Sequence, residues 1–194
     1  MHATSTSEWN FPRWRPLLDA GKVPSLCLPD GSLPRDTATL HKQFRLAELE
    51  AEVLPQIACL RASGLRPEYL DTHMVFDWLP GAQEALSRIC SEEDLLYHNI
   101  PQHAVFDCPV EDMKREEALG ARLEAFQAEN PGVRAVWIFH PAHPDPDNVE
   151  MPAEVCTRRQ REAEILRHPD ELMHHIRASG SVLERYAFDS TAPG

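Results

Sequence analysis

Asp71-Thr72-His73 sets a carboxylate and an imidazole two residues apart. On an extended strand, residues two apart project to the same face. The pair can therefore share a divalent cation or pass a proton. The plainer reading is a strand end whose Asp and His satisfy nearby backbone groups. A second cluster is Phe-His-Pro-Ala-His-Pro-Asp over residues 139–145. His140 closes an apolar run, and His143 follows in a loop that prolines stiffen. A solvated loop in a histidine-rich chain explains the same letters.

The other polar groups carry less. His2 stands beside Met1, where chains usually fray. His174-His175 falls near a helix end, where the helix dipole favours such residues. His41, His98, His103 and His168 have no evident partners. Arg159 and Glu162 are three apart and read as an intrahelical pair. Ser5, Thr6 and Ser7 lack the Gly-x-Ser-x-Gly setting of a serine hydrolase. Neither a phosphate loop nor Gly-x-Gly-x-x-Gly occurs.

The elements that must position these residues alternate between helix and strand. Residues 1–44 lack helical periodicity and form a long loop region, with a turn at Asp30-Gly31. Leu46, Leu49, Val53, Ile57 and Leu60 predict an amphipathic helix over 45–63, capped by Gly64 and kinked or split at Pro55. A strand is expected at 68–73, a helix at 80–90, short strands and loops at 93–108, and a helix at 111–129. The nearly continuous apolar run 133–140 predicts a strand covered on both faces. Helices near 153–167 and 169–178 and a strand at 181–188 complete the series. This alternation predicts an α/β fold with a parallel sheet, in one domain. His73 and His140 both end strands, and parallel α/β folds gather active-site residues at the carboxyl ends of strands.

The totals exclude several classes. A net charge of −12 argues against an extended nucleic-acid face. No apolar run reaches about 18 residues, so no membrane span is expected. The first ten residues are polar and read as no signal peptide. The five cysteines are scattered and odd in number, against a disulfide framework or zinc knuckle. A reduced, cytoplasmic setting is the expectation.

Three stretches taken together resemble the YdjC-like carbohydrate deacetylases, which include chitooligosaccharide and hopanoid-associated deacetylases. Residues 2–35, with HATSTSEW, RWRPLL, KVPSL and DGSLPR, are similar to the family segment HLTLTSEW…YRW.P…VPSL.D.DGYFPR. LRPEYLDTHM (65–74) is similar to I.PTHLDSHM. WIFHPAHPD (137–145) and RRQREAEILRHPD (158–170) are similar to the family's HPA and R..E...L..P. The likeness runs in order along almost the whole chain. It implies a TIM-barrel-like (β/α) barrel and a divalent metal, magnesium or zinc. It implies metal ligation by His2 and His73, an orienting role for Asp71, and a catalytic or substrate-contacting role for His140. Arg159 and Glu162 match the R..E pair, read as structural.

The departures are specific. Family members begin with a strand ending in Asp-Asp-Phe-Gly, which supplies one metal ligand and the proposed base, and nothing here matches it. The expectation is one domain over 1–194, an incomplete barrel lacking its first βα unit, on the order of 30 residues. Tyr69 stands where the family often has histidine, and Ala3 and Ser5 replace apolar residues. The implied substrate is an acetylated amino sugar or oligosaccharide, with Trp9 and Trp14 stacking on sugar rings or simply packing. An open barrel edge would favour a homo-oligomer. The competing expectation is a catalytically inactive truncated paralogue that at most binds a sugar or a partner.

Overall fold

A computed structural model describes residues 1–8, 12–98, 104–143 and 151–184. The described residues fall into two compact units, one within 1–98 and the other within 104–184. Both are mixed α/β with parallel strands.

The first unit holds a sheet in the order β1-β2-β3, made of β1 (His2–Ala3), β2 (Tyr69–Thr72) and β3 (Leu96–Tyr97). Both pairings are parallel, with His2 beside Asp71, Ala3 beside Thr72, and Leu70 beside Tyr97. Alternation along β2 buries Leu70 and Thr72 and leaves Tyr69 and Asp71 half-buried on the opposite face. The helices of this unit are α1 (Thr37–His41), α2 (Leu46–Ala62) and α3 (Ala82–Glu92). Leu49, Val53 and Ile57 of α2 join Leu86 and Ile89 of α3 and Leu70 of β2 in one core. These positions recur every three to four residues because 3.6 residues make a turn.

Pro55 does not divide α2, which runs through it as one element. The lost backbone bond costs about 3 kcal/mol, and the buried stripe on either side offsets it. The end comes where expected. Gly64 takes φ +83°, its amide donates to the Arg61 carbonyl, and the Leu65 amide donates to the Leu60 carbonyl. That paired closure favours glycine.

Three polar side chains of α2, four residues apart, grip the preceding segment. Glu48 accepts the Ser25 amide at 2.6 Å. Glu52, wholly buried, accepts the amides of Leu17 and Leu18 at 2.7 and 3.0 Å. Gln56 pairs with Thr4 in both directions: its Oε1 accepts the Thr4 amide at 2.9 Å and its Nε2 donates to the Thr4 carbonyl at 2.8 Å. Gln56 also donates to Glu52 at 3.0 Å. One helix face thus accepts the amides of Thr4, Leu17, Leu18 and Ser25 from the long N-terminal segment. That segment contains β1, a 3-10 turn at Pro24–Leu26 and α1.

The second unit has a two-stranded parallel sheet, β4 (Ala104–Phe106) against β5 (Ala135–Trp137). Its helices are α4 (Val110–Met113), α5 (Glu116–Glu129), α6 (Ala153–Leu166) and α7 (Pro169–Ala178). Phe106, Met113, Leu119, Ile165, Leu172 and Ile176 form its core. The helix expected over 111–129 is two helices, because Lys114 closes α4 and extended Arg115 starts α5. The strand expected over 133–140 narrows to β5, since β4 offers three partners. Residues 181–184 form no strand, and the rest of that expected element lies outside the described residues. Among the described residues, no helix is long and apolar enough to cross a membrane.

Glu52→Ala should leave the Leu17 and Leu18 amides without their acceptor and destabilise the first unit by about 2–4 kcal/mol. Urea unfolding of wild type and variant checks this. Glu52→Gln, which keeps an accepting oxygen, should cost less.

Candidate functional site

The face of the first sheet opposite the core carries the chemistry. β1 does not fray beside Met1, because the Asp71 amide donates to the Met1 carbonyl and the His73 amide to the Ala3 carbonyl. That pairing places the His2 side chain next to those of Asp71 and His73. Nδ1 of His2 lies 2.8 Å from Oδ1 of Asp71, and Nε2 of His2 lies 3.1 Å from Nδ1 of His73. The two rings meet edge to face at 5.1 Å. With Nδ1 of His2 donating to the Asp71 carboxylate, a neutral His2 ring presents its Nε2 lone pair toward His73.

Two nitrogens bound to one cation at about 2.0–2.1 Å lie roughly 3.0–3.4 Å apart, depending on the coordination angle. The observed 3.1 Å fits two imidazole ligands of such a cation. The carboxylate behind His2 is the usual outer partner of a metal-binding histidine. Among the described residues, no group of three or more His, Cys, Asp or Glu side chains is arranged to hold a metal ion. Among the described residues, the site offers two facing nitrogens.

His73 is the more enclosed of the pair, its side chain 12% exposed against 52% for His2. Trp14 covers it, ring centroids 5.3 Å apart. The backbone of Trp14 is fixed from both sides: its amide donates to Ser7 Oγ at 2.9 Å, and its carbonyl accepts the Leu33 amide at 2.8 Å. Ser7 is thus a loop anchor. Glu8 Oε2 lies 3.8 Å from Nε2 of His73. Beyond His73, Met74 and Val75 both take left-handed φ, 55° and 51°. Such angles are costly for side-chain-bearing residues, most of all β-branched ones.

Sequence reasoning missed Glu8 and His98. The His98 amide donates to the Leu70 carbonyl, which continues the parallel ladder by one residue. His98 therefore falls in the same cross-strand row as Asp71 and His2. It is buried. Only the strand register reveals it, because no sequence spacing links His98 to the other two.

On the core-facing side, the hydroxyls of Thr72 and Tyr97 both donate to Asp77. This carboxylate ties the ends of β2 and β3 together. Burial pushes its pKa above the usual carboxylate value, and the Tyr97 hydrogen bond offsets this only in part. Tyr97 is raised in turn, by burial first and then by Asp77.

His140 belongs to the second unit, exposed, just after β5. Its amide donates to Glu162 Oε2 at 2.7 Å, and the Ala142 amide donates to the Arg159 carbonyl at 3.2 Å. Glu162 pairs with Arg158, four residues before it, at 2.9 Å. His143 is exposed. His174 faces Glu116 at 3.6 Å, and His175 is buried in α7. Trp9 lies outside the described residues.

The family described as YdjC-like protein matches over residues 1–173. No curated protein matches significantly. A solved structure from Enterococcus faecalis V583, of a proposed cellobiose-phosphate cleavage protein, is similar at a TM-score of 0.73 and 20% identity, covering 95% of this chain and 75% of that one.

Asp77 has a folded-state pKa above its unfolded value, so the folded state holds this proton more tightly. Its contribution to stability is greatest at low pH and is lost as pH rises from 3.8 through the folded pKa. Asp77→Asn removes that titration. The melting temperature of the variant relative to wild type should be higher at pH 8 than at pH 4. A difference independent of pH would contradict this.

Proposed function

Because this chain belongs to the YdjC-like protein family, a family of carbohydrate-processing hydrolases, we propose that it removes N-acetyl groups from amino sugars or oligosaccharides with a divalent metal, magnesium or zinc. The observation that carries the reading is the His2–His73 nitrogen pair, 3.1 Å apart and backed by Asp71. The accompanying fold reading is a TIM-barrel-like (β/α) barrel. It is supported by parallel strands with intervening helices.

In this reading His2 and His73 hold the cation, and Asp71 keeps the His2 Nε2 lone pair directed at it. Bound there, a divalent cation supplies Lewis-acid polarisation of a carbonyl oxygen and acidifies water. An amide resists attack, so both effects lower its barrier. By the family resemblance, a carboxylate base would complete proton removal. By the same resemblance, His140 would donate a proton to the leaving amine or steady the developing oxyanion. Trp14, its ring against His73 and 37% exposed, offers an indole face on which a sugar ring can stack. The substrate is then an acetylated sugar, and the scissile amide lies near the imidazole pair. A homo-oligomer that covers the edge of β1 accords with this reading.

Calorimetric titration with zinc and with magnesium should detect binding that His2→Ala or His73→Ala abolishes. Asp71→Asn should weaken it by roughly 10- to 100-fold. Acetate release from acetylated chitooligosaccharides should depend on the same residues. His140→Ala should lower kcat by about 10²-fold or more while leaving metal affinity unchanged. Metal binding without turnover on any acetylated sugar would point to the inactive paralogue. Metal binding that survives loss of both histidines would remove the basis of the proposal.

A further inference from the structure

We propose that Glu162 is a positioning residue for His140. The inference rests on the deacetylase reading, in which His140 acts on the substrate. Glu162 lies on α6, 13 residues short of the buried His175 of α7, in a helix whose outer face is charged, yet it is 1% exposed. A carboxylate withdrawn from water needs partners for its oxygens. Here each oxygen has one. Oε2 accepts the backbone amide of His140 at 2.7 Å, and Oε1 accepts Nε of Arg158 at 2.9 Å. Arg158 extends the chain of contacts to Asp107 Oδ1 at 3.2 Å, just past the end of β4. The pairing raises the pKa of the guanidinium, Glu162 being the largest cause.

The target of this arrangement is specific. β5 ends at Trp137, so the His140 amide has left the ladder and finds its acceptor in α6. Pro141 has no amide to offer, and the Ala142 amide is taken by the Arg159 carbonyl. Helix α6 thus fixes the backbone on both sides of Pro141, while the His140 side chain stays exposed. A buried acceptor holding the backbone of His140 fixes the Cα from which the exposed imidazole projects, without touching substrate.

The test compares Glu162→Gln and Glu162→Ala with wild type in the full chain. It uses amide hydrogen exchange at His140 and Ala142, thermal unfolding, and kcat and KM on acetylated chitooligosaccharide. Glu162→Ala should speed exchange of the His140 amide about tenfold or more and lower kcat by roughly 10- to 100-fold with little change in KM. Glu162→Gln, whose amide oxygen still accepts, should keep most of the protection and most of kcat. Unchanged His140 exchange in Glu162→Ala would overturn the proposal. So would a kcat loss no larger than the unfolded fraction, or a Glu162→Gln variant as impaired as Glu162→Ala. If wild type releases no acetate, the deacetylase reading fails by itself. The exchange rates then still decide whether Glu162 fixes the His140 backbone.

Discussion

The first unit depends on one polar stripe of α2. Glu48, Glu52 and Gln56 are spaced by four, so they stack along one side of the helix and each meets a different stretch of the N-terminal segment. A segment with so few residues in regular structure has many backbone amides to satisfy, and unsatisfied ones are costly when buried. The stripe supplies acceptors where strands cannot. Its reach to Thr4 holds the end of β1, and its reach to Leu17 and Leu18 holds the loop beyond Trp14. The helix face thus adds to the β1–β2 ladder that seats the imidazole pair and to the Ser7 and Leu33 bonds that fix Trp14.

The second unit repeats the device with a single residue. A buried carboxylate on a helix again accepts a backbone amide of a segment that carries a candidate functional side chain. In both places the helix supplies precision that an exposed loop lacks. In both places the buried carboxylate spends its oxygens on backbone amides or on a neighbouring side chain, which is a structural use of a buried charge.

Legibility in the sequence followed the range of the interactions. The helix over Leu46–Ala62 and its glycine stop were readable because periodicity and capping are local. The Asp71 and His73 pair was readable because strand alternation is local too. His98 was not, since its place beside Asp71 is set by pairing between β2 and β3, about 25 residues apart in sequence. His2 was readable only through family resemblance; its neighbour alone predicted fraying, and the ladder to β2 overrode that. Lys114-Arg115 broke a helix whose apolar pattern ran through it, Arg115 taking an extended backbone that periodicity does not signal. Glu48, Glu52 and Gln56 were visible as a spacing of four, but charged residues on a helix ordinarily face water, and nothing local said otherwise.

The two left-handed residues after His73 carry a consequence for any effort to make this protein sturdier. Met74 and Val75 each hold a backbone shape that glycine adopts freely. Laboratory selection for heat resistance would therefore reward glycine at either position, by relieving of order 1–2 kcal/mol per residue. The same exchange would slacken the chain just where an imidazole must keep its bearing. Robustness and aim pull against each other at these two residues.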